Sequence, residues 1–205
     1  MAEAPQIFDG YEAFYATLPN PLFTAGDARK RSPAGLGEPA GDFWKWTAQG
    51  EPHVLALEGP DAVIDGRRLP ASRAQRFDGE GLAPALGRSA TVYANEDAIC
   101  VEGVPSSASG TAVRHVRVTL ITQPYTPSAK RFELPSLFAS CLALTRVDGG
   151  IGFYRASYRW PKSAPAPEGV TFESFALRGG VFVPLQLTVT ATFVEADNVY
   201  RFHIR

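Results

Sequence analysis

Residues 185–204 alternate apolar and polar side chains almost without a break. Leu185, Leu187, Val189, Ala191 and Phe193 interleave with Gln186, Thr188, Thr190 and Thr192. After Glu195-Ala196-Asp197-Asn198, Tyr200, Phe202 and Ile204 interleave with Arg201, His203 and Arg205. A period of two marks a strand with one buried and one solvated face. The stretch from Gly180 to Arg205 therefore reads as one long β-hairpin. On that reading Thr188, Thr190 and Thr192 stand opposite Arg201, His203 and Arg205 on the polar face.

Turn chemistry extends the same pattern upstream. Asp148-Gly149 lies between apolar stretches, a strong hairpin signal. A two-residue turn there pairs Val147 with Gly150, Leu144 with Phe153 and Cys141 with Ala156. This makes residues 137–146 a strand, in preference to a helix starting near Pro135. Asp65-Gly66 and Asn95-Glu96-Asp97 mark further turns, and Phe43–Trp46, His53–Glu58 and Val113–Thr122 read as strands.

One helix is expected, over Asp9–Leu18. Asp9 caps it, with Glu12 closing a capping box, and Phe8, Tyr11, Phe14, Tyr15 and Leu18 form one stripe. Pro19-Asn20-Pro21 ends it. The chain thus reads as mainly β: a sandwich or flattened barrel of roughly ten strands with a short N-terminal helix. We expect a single domain, with a helical arm over 1–23, a flexible Gly/Pro loop over 24–42 and a β core over 43–205.

The length of 205 residues and an apolar share of 45% suffice for a core without metals or a disulfide framework. The acidic start lacks the basic and apolar regions of a secretory signal, and no run of about 18 apolar residues is present. We expect a reduced cytoplasmic protein, or one exported or packed into a virion without a signal peptide, and no membrane partner. Net charge is −1, but residues 1–110 hold 15 acidic and 9 basic side chains and residues 111–205 hold 6 and 11. That split suits subunits that stack, or an anionic partner for the basic half.

Motifs for chemistry are sparse. Phe138-Ala139-Ser140-Cys141, followed by Gly149-Gly150-Ile151-Gly152-Phe153, resembles the cysteine region of chemoreceptor-type glutamine deamidases. The resemblance implies a Cys141 nucleophile in a cysteine-dependent hydrolase or deamidase. That family carries a histidine after its glycines, where this chain has Phe153, Tyr154 and Arg155. His53, His115 and His203 show no metal-ligand spacing, and nothing calls for a cofactor. Trp44 and Trp46 with Phe43 are candidates for a stacking platform. Arg29-Lys30-Arg31 is a candidate phosphate contact in the loop. Arg114, Arg117, Arg155 and Arg159 join Arg201, His203 and Arg205 as strand residues of a candidate cationic surface for an anionic ligand or nucleic acid.

The leading expectation is a non-enzymatic binding or assembly module, with a protein partner or a second copy as its ligand. A structural component of a virion, tail or secretion apparatus fits that composition.

Overall fold

A computed structural model describes residues 6–32, 42–77, 85–86, 89–162 and 165–204. The protein is mainly β, with 17 strands in three sheets among the described residues. The strand count exceeds the expected ten because turns cut the chain into very short pieces, several only two or three residues long. The chain divides into two compact units: a terminal unit of Met1–Leu22 and Leu137–Arg205, and a middle unit of Phe23–Ser136.

The chain enters through β1 (Ile7–Asp9) and α1 (Tyr11–Tyr15). The helix is shorter than the apolar stripe suggests. Asp9 is consumed by β1, where it pairs with Arg201, so it cannot serve as the cap. Gly10 takes the N-cap position at φ 101°, with no side-chain cap bond. A positive φ of this size favours glycine.

The middle unit begins with β2 (Ala28–Arg29) and β3 (Arg31–Ser32), inside the segment expected to be loop. Residues 33–41 of that segment lie outside the described residues. Then follow β4 (Asp42–Ala48), β5 (Glu51–Glu58), β6 (Asp61–Ile64), β7 (Arg67–Leu69) and β8 (Gln75–Arg76). The unit continues with β9 (Thr91–Ala94), β10 (Ala98–Gly103), β11 (Arg117–Thr122) and β12 (Lys130–Glu133). Strands β3-β4-β5-β6-β7 form an antiparallel five-stranded sheet. The second sheet runs β2-β9-β10-β11-β12-β8, with β8 parallel to β12. Trp44, Trp46, Leu55 and Ile64 of the first sheet share one core with Val92, Ile99, Val101 and Ile121 of the second. The Asp65-Gly66 and Asn95–Asp97 turns form as expected. At the latter, the Asn95 side-chain oxygen accepts from the Asp97 and Ala98 amides at 3.0 and 3.1 Å.

The terminal unit is completed by β13 (Thr145–Val147), β14 (Gly150–Arg159), β15 (Gly169–Arg178), β16 (Val181–Phe193) and β17 (Arg201–Ile204). Its sheet is a meander with β1 added beyond β17, in the order β1-β17-β16-β15-β14-β13. The Asp148-Gly149 turn pairs Val147 with Gly150 as expected, but β13 has only three residues. Cys141–Ala143 is a 3-10 turn, neither strand nor helix, because the Ser140 hydroxyl accepts the Leu142 amide at 3.1 Å and fixes the turn locally. Over the sheet's inner face lies an aromatic core. Phe8, Tyr11, Phe14 and Tyr15 pack with Phe172, Ala191 and Phe202, so the predicted stripe is the buried one.

Candidate functional site

The polar face of the terminal sheet is the first candidate. Thr192 pairs directly with His203, which pairs in turn with Ile7 of β1. Thr190 pairs with Thr171 and Thr188 with Glu173, both on β15. The expected alignment of three threonines with three basic residues therefore reduces to Thr192 and His203. The turn over residues 194–200 leaves β17 with four residues, too short to reach Thr188. Arg205 lies outside the described residues. The alternation also fails upstream: Gln186 sits at φ 57°, the register shifts between Glu173 and Phe175, and Leu187 is 54% exposed.

Three arginines of this face, Arg155, Arg159 and Arg201, are ion-paired. Arg201 has Asp9 at 3.2 Å and Glu195 at 3.2 Å. Arg159 has Glu168 at 3.3 Å, and Arg155 has Glu173 at 3.8 Å. Three arginines thus meet four carboxylates. The Arg159 guanidinium also donates to the Thr192 hydroxyl at 2.8 Å, although β15 lies between their strands. It can do so because Gly169 stands at that position of β15. A Cβ there would lie 3.1 Å from the Arg159 Nη2 and would collide with the Ala191 carbonyl. Gly169→Ala is expected to destabilise the terminal unit by about 1–3 kcal/mol through overpacking, read as an earlier midpoint in urea unfolding.

Arg114 and Arg117 belong to the middle unit. Arg114 ends a 3-10 turn, and Arg117 is buried at 8% exposure. Trp44 and Trp46 are buried at 1% and 8%, and Phe43 at 1%, so the stacking platform is core. The Trp46 indole donates to the Tyr125 hydroxyl at 2.9 Å, which donates to the Asn95 carbonyl at 2.7 Å. Burial raises the Tyr125 phenol above its ordinary value, keeping it a neutral donor. His53 stacks on Tyr125 at 4.1 Å, and its Nδ1 lies 2.7 Å from Asp65. His115 bonds Ser136 at 3.1 Å instead. The basic run is also engaged: Arg29 donates to the Ala94 carbonyl and Arg31 to Asp42. Among the described residues no group of three or more His, Cys, Asp or Glu is placed to hold a metal.

Cys141 lies in the core of the fold. It is 0% exposed, and neither it nor Cys100 is a free thiol, since both are disulfide-bonded. A catalytic cysteine must be an accessible thiolate. The nucleophile reading came from the resemblance to glutamine deamidases; the strand expected over residues 137–146 is replaced at Cys141–Ala143 by a 3-10 turn. Thiol titration of the denatured, unreduced chain is expected to find no reactive cysteine, and after reduction both of the chain's two.

Sequence reasoning missed a second group, in the middle unit. Glu133, Arg117 and Arg131 are buried together at 3%, 8% and 6% exposure. Glu133 accepts from Arg131 Nε at 3.0 Å and Nη2 at 2.8 Å, from Arg117 Nε at 3.2 Å, and from the Thr119 hydroxyl at 2.8 Å. Burial pushes the Arg131 guanidinium down and Glu133 pulls it back up, with a net lowering that leaves it charged. Arg131 also lines a cleft of about 400 Å³ with Arg68, Arg73 and Lys130. The signal was the pair Arg131 and Glu133, placed on either side of Phe132 in a short strand. On a sheet these two share a face.

No family model, curated protein or solved structure matches the chain.

Proposed function

We propose that the chain is a non-enzymatic binding and assembly module, which associates with a second copy of itself through the outer face of the terminal sheet. The observation that carries this reading is the near-neutral, mixed character of that face. Ile7 is 50% and Val194 40% exposed, and both stand among the ion-paired Arg201, Asp9 and Glu195. Apolar side chains ringed by paired charges suit a protein contact better than a phosphate backbone, which requires unbalanced cations. Charges of both signs along one face let two copies meet by a two-fold axis with opposite charges facing. β1, three residues long, is the edge strand of this sheet among the described residues.

A structural component of a virion, tail or secretion apparatus remains the setting that suits such a module. The disulfide-bonded cysteines favour an exported or virion-borne protein over a reduced cytoplasmic one. No described helix is long and apolar enough to cross a membrane.

Sedimentation from about 1 μM to about 1 mM decides the matter. The expected result is a reversible dimer or larger species that Ile7→Glu with Val194→Glu converts to monomer without lowering the melting temperature. A strict monomer over that range removes the reading.

A further inference from the structure

The middle unit carries a feature that owes nothing to the terminal sheet. The cleft of about 400 Å³ opens between β7 and the following 3-10 turn (Ala71–Arg73) on one side and β12 on the other. Four basic side chains line it: Arg68, Arg73, Lys130 and Arg131. Two of them already have carboxylate partners. Arg68 donates to Asp61 at 2.9 Å and also to Glu58. Arg131, its side chain 3% exposed, shares Glu133 with Arg117. Arg73 and Lys130 are different. Both are exposed, and among the described residues neither has an ion pair or a side-chain hydrogen bond. The lining thus holds two positive charges that no carboxylate of the described residues offsets.

The cleft is also built, in the sense that its deepest cation cannot move. Arg131 Nη1 donates to the Leu69 carbonyl at 2.7 Å, and Nη2 to the Pro60 carbonyl at 2.8 Å. With Nε and Nη2 also bound to Glu133, one of its five N–H donors, on Nη1, remains without an acceptor. A guanidinium already locked in place loses little side-chain entropy when a ligand takes its last donor. The rest of the lining includes the half-buried Leu69, Pro70 and Ala129, so the cleft is half apolar.

We propose that this cleft binds a small organic phosphate: a phosphate monoester whose dianion faces Arg73, Lys130 and Arg131, and whose apolar body lies against Leu69 and Pro70. Its volume falls at the lower end of the usual range for small-molecule sites, about 300–1,000 Å³. A phosphate monoester carries a charge of about −1.5 to −2 at neutral pH, which matches the two unbalanced cations. A monocarboxylate would leave one of them unmet.

The test is calorimetric titration of the full chain, at low salt, with phenyl phosphate, inorganic phosphate and benzoate. Phenyl phosphate is expected to bind saturably, and about tenfold or more tighter than either other anion. Arg73→Gln with Lys130→Gln is expected to weaken it about tenfold or more, with unchanged melting of the unliganded protein, because neither side chain has a partner to lose. Lys130→Arg keeps the charge and is expected to bind within about twofold of the original, which excludes misfolding as the cause of the loss. The proposal is overturned if phenyl phosphate shows no saturable binding by about 10 mM. Equal affinity for benzoate removes the phosphate, and equal affinity for inorganic phosphate removes the organic body. Unchanged binding by the Arg73→Gln, Lys130→Gln variant, or lost binding by Lys130→Arg, removes the site.

Discussion

Replacing Phe202 by Asp is expected to abolish folding of the terminal unit. Phe202 is 0% exposed in the centre of the aromatic core. Its ring stacks on Phe8 at 5.7 Å and on Tyr11 at 4.8 Å, and meets Phe14 edge-on at 6.2 Å. Truncating a buried Phe typically costs about 3–5 kcal/mol through lost transfer energy and the cavity left behind. A carboxylate adds the cost of burying a charge among rings that offer it no partner. Domain stabilities lie near 5–15 kcal/mol, so the combined loss exceeds or exhausts the margin. Amide exchange in β15–β17 is the measurement: Phe202→Asp is expected to lose protection there. Phe202→Leu, which keeps an apolar side chain, is expected to retain it with a smaller loss. Protection in the Asp variant equal to the original would mean that Phe202 is not in the core.

The legible part of the fold was the part written in local periodicity. The stripe of Phe8, Tyr11, Phe14 and Tyr15 and the pair Phe193 and Phe202 are buried as their spacing implies. The turns at Asp65-Gly66, Asn95–Asp97 and Asp148-Gly149 form where their residue types place them. What stayed hidden depends on register between distant strands. Arg117 reads as a solvent residue until β11 is laid against β12. The register pairs Thr119 with Glu133, and the carboxylate then reaches Arg117 and Arg131 at once.

The same reason explains both site outcomes. The arginines of the terminal sheet formed a cationic row on paper because their partners, Asp9, Glu168, Glu173 and Glu195, are mostly supplied by other strands and by turns. The cleft formed by Arg68, Arg73, Lys130 and Arg131 was invisible because its two sides come from different sheets. Local competition settled the remaining differences. The Ser140 cap overrode strand pairing at Cys141–Ala143, and the register shift at Glu173/Phe175 broke the alternation at Gln186.

Glu133→Gln is expected to destabilise the middle unit by about 3–5 kcal/mol, the cost of breaking a buried ion pair by removing one partner. The change is isosteric, so no cavity term enters and the effect isolates charge. In the native core one carboxylate serves two guanidinium groups, and both Glu133 oxygens are used. Oε1 accepts from Arg131, and Oε2 accepts from Arg117 Nε and Thr119. An amide would keep one acceptor and turn its NH2 toward groups that are themselves donors. Two buried guanidinium groups would then lose the carboxylate they share. Arg131 cannot shed its proton, since an arginine holds its charge even when burial lowers its pKa. Trp44 and Trp46 lie in the core of the same unit, so tryptophan fluorescence during urea unfolding is a direct probe. Adding Arg131→Met to Glu133→Gln is expected to recover part of the loss by removing one unbalanced charge, although the Leu69 carbonyl then loses its donor. If Glu133→Gln melts like the original protein, the triad is not held together by charge, and Arg117 and Arg131 must find their anion elsewhere.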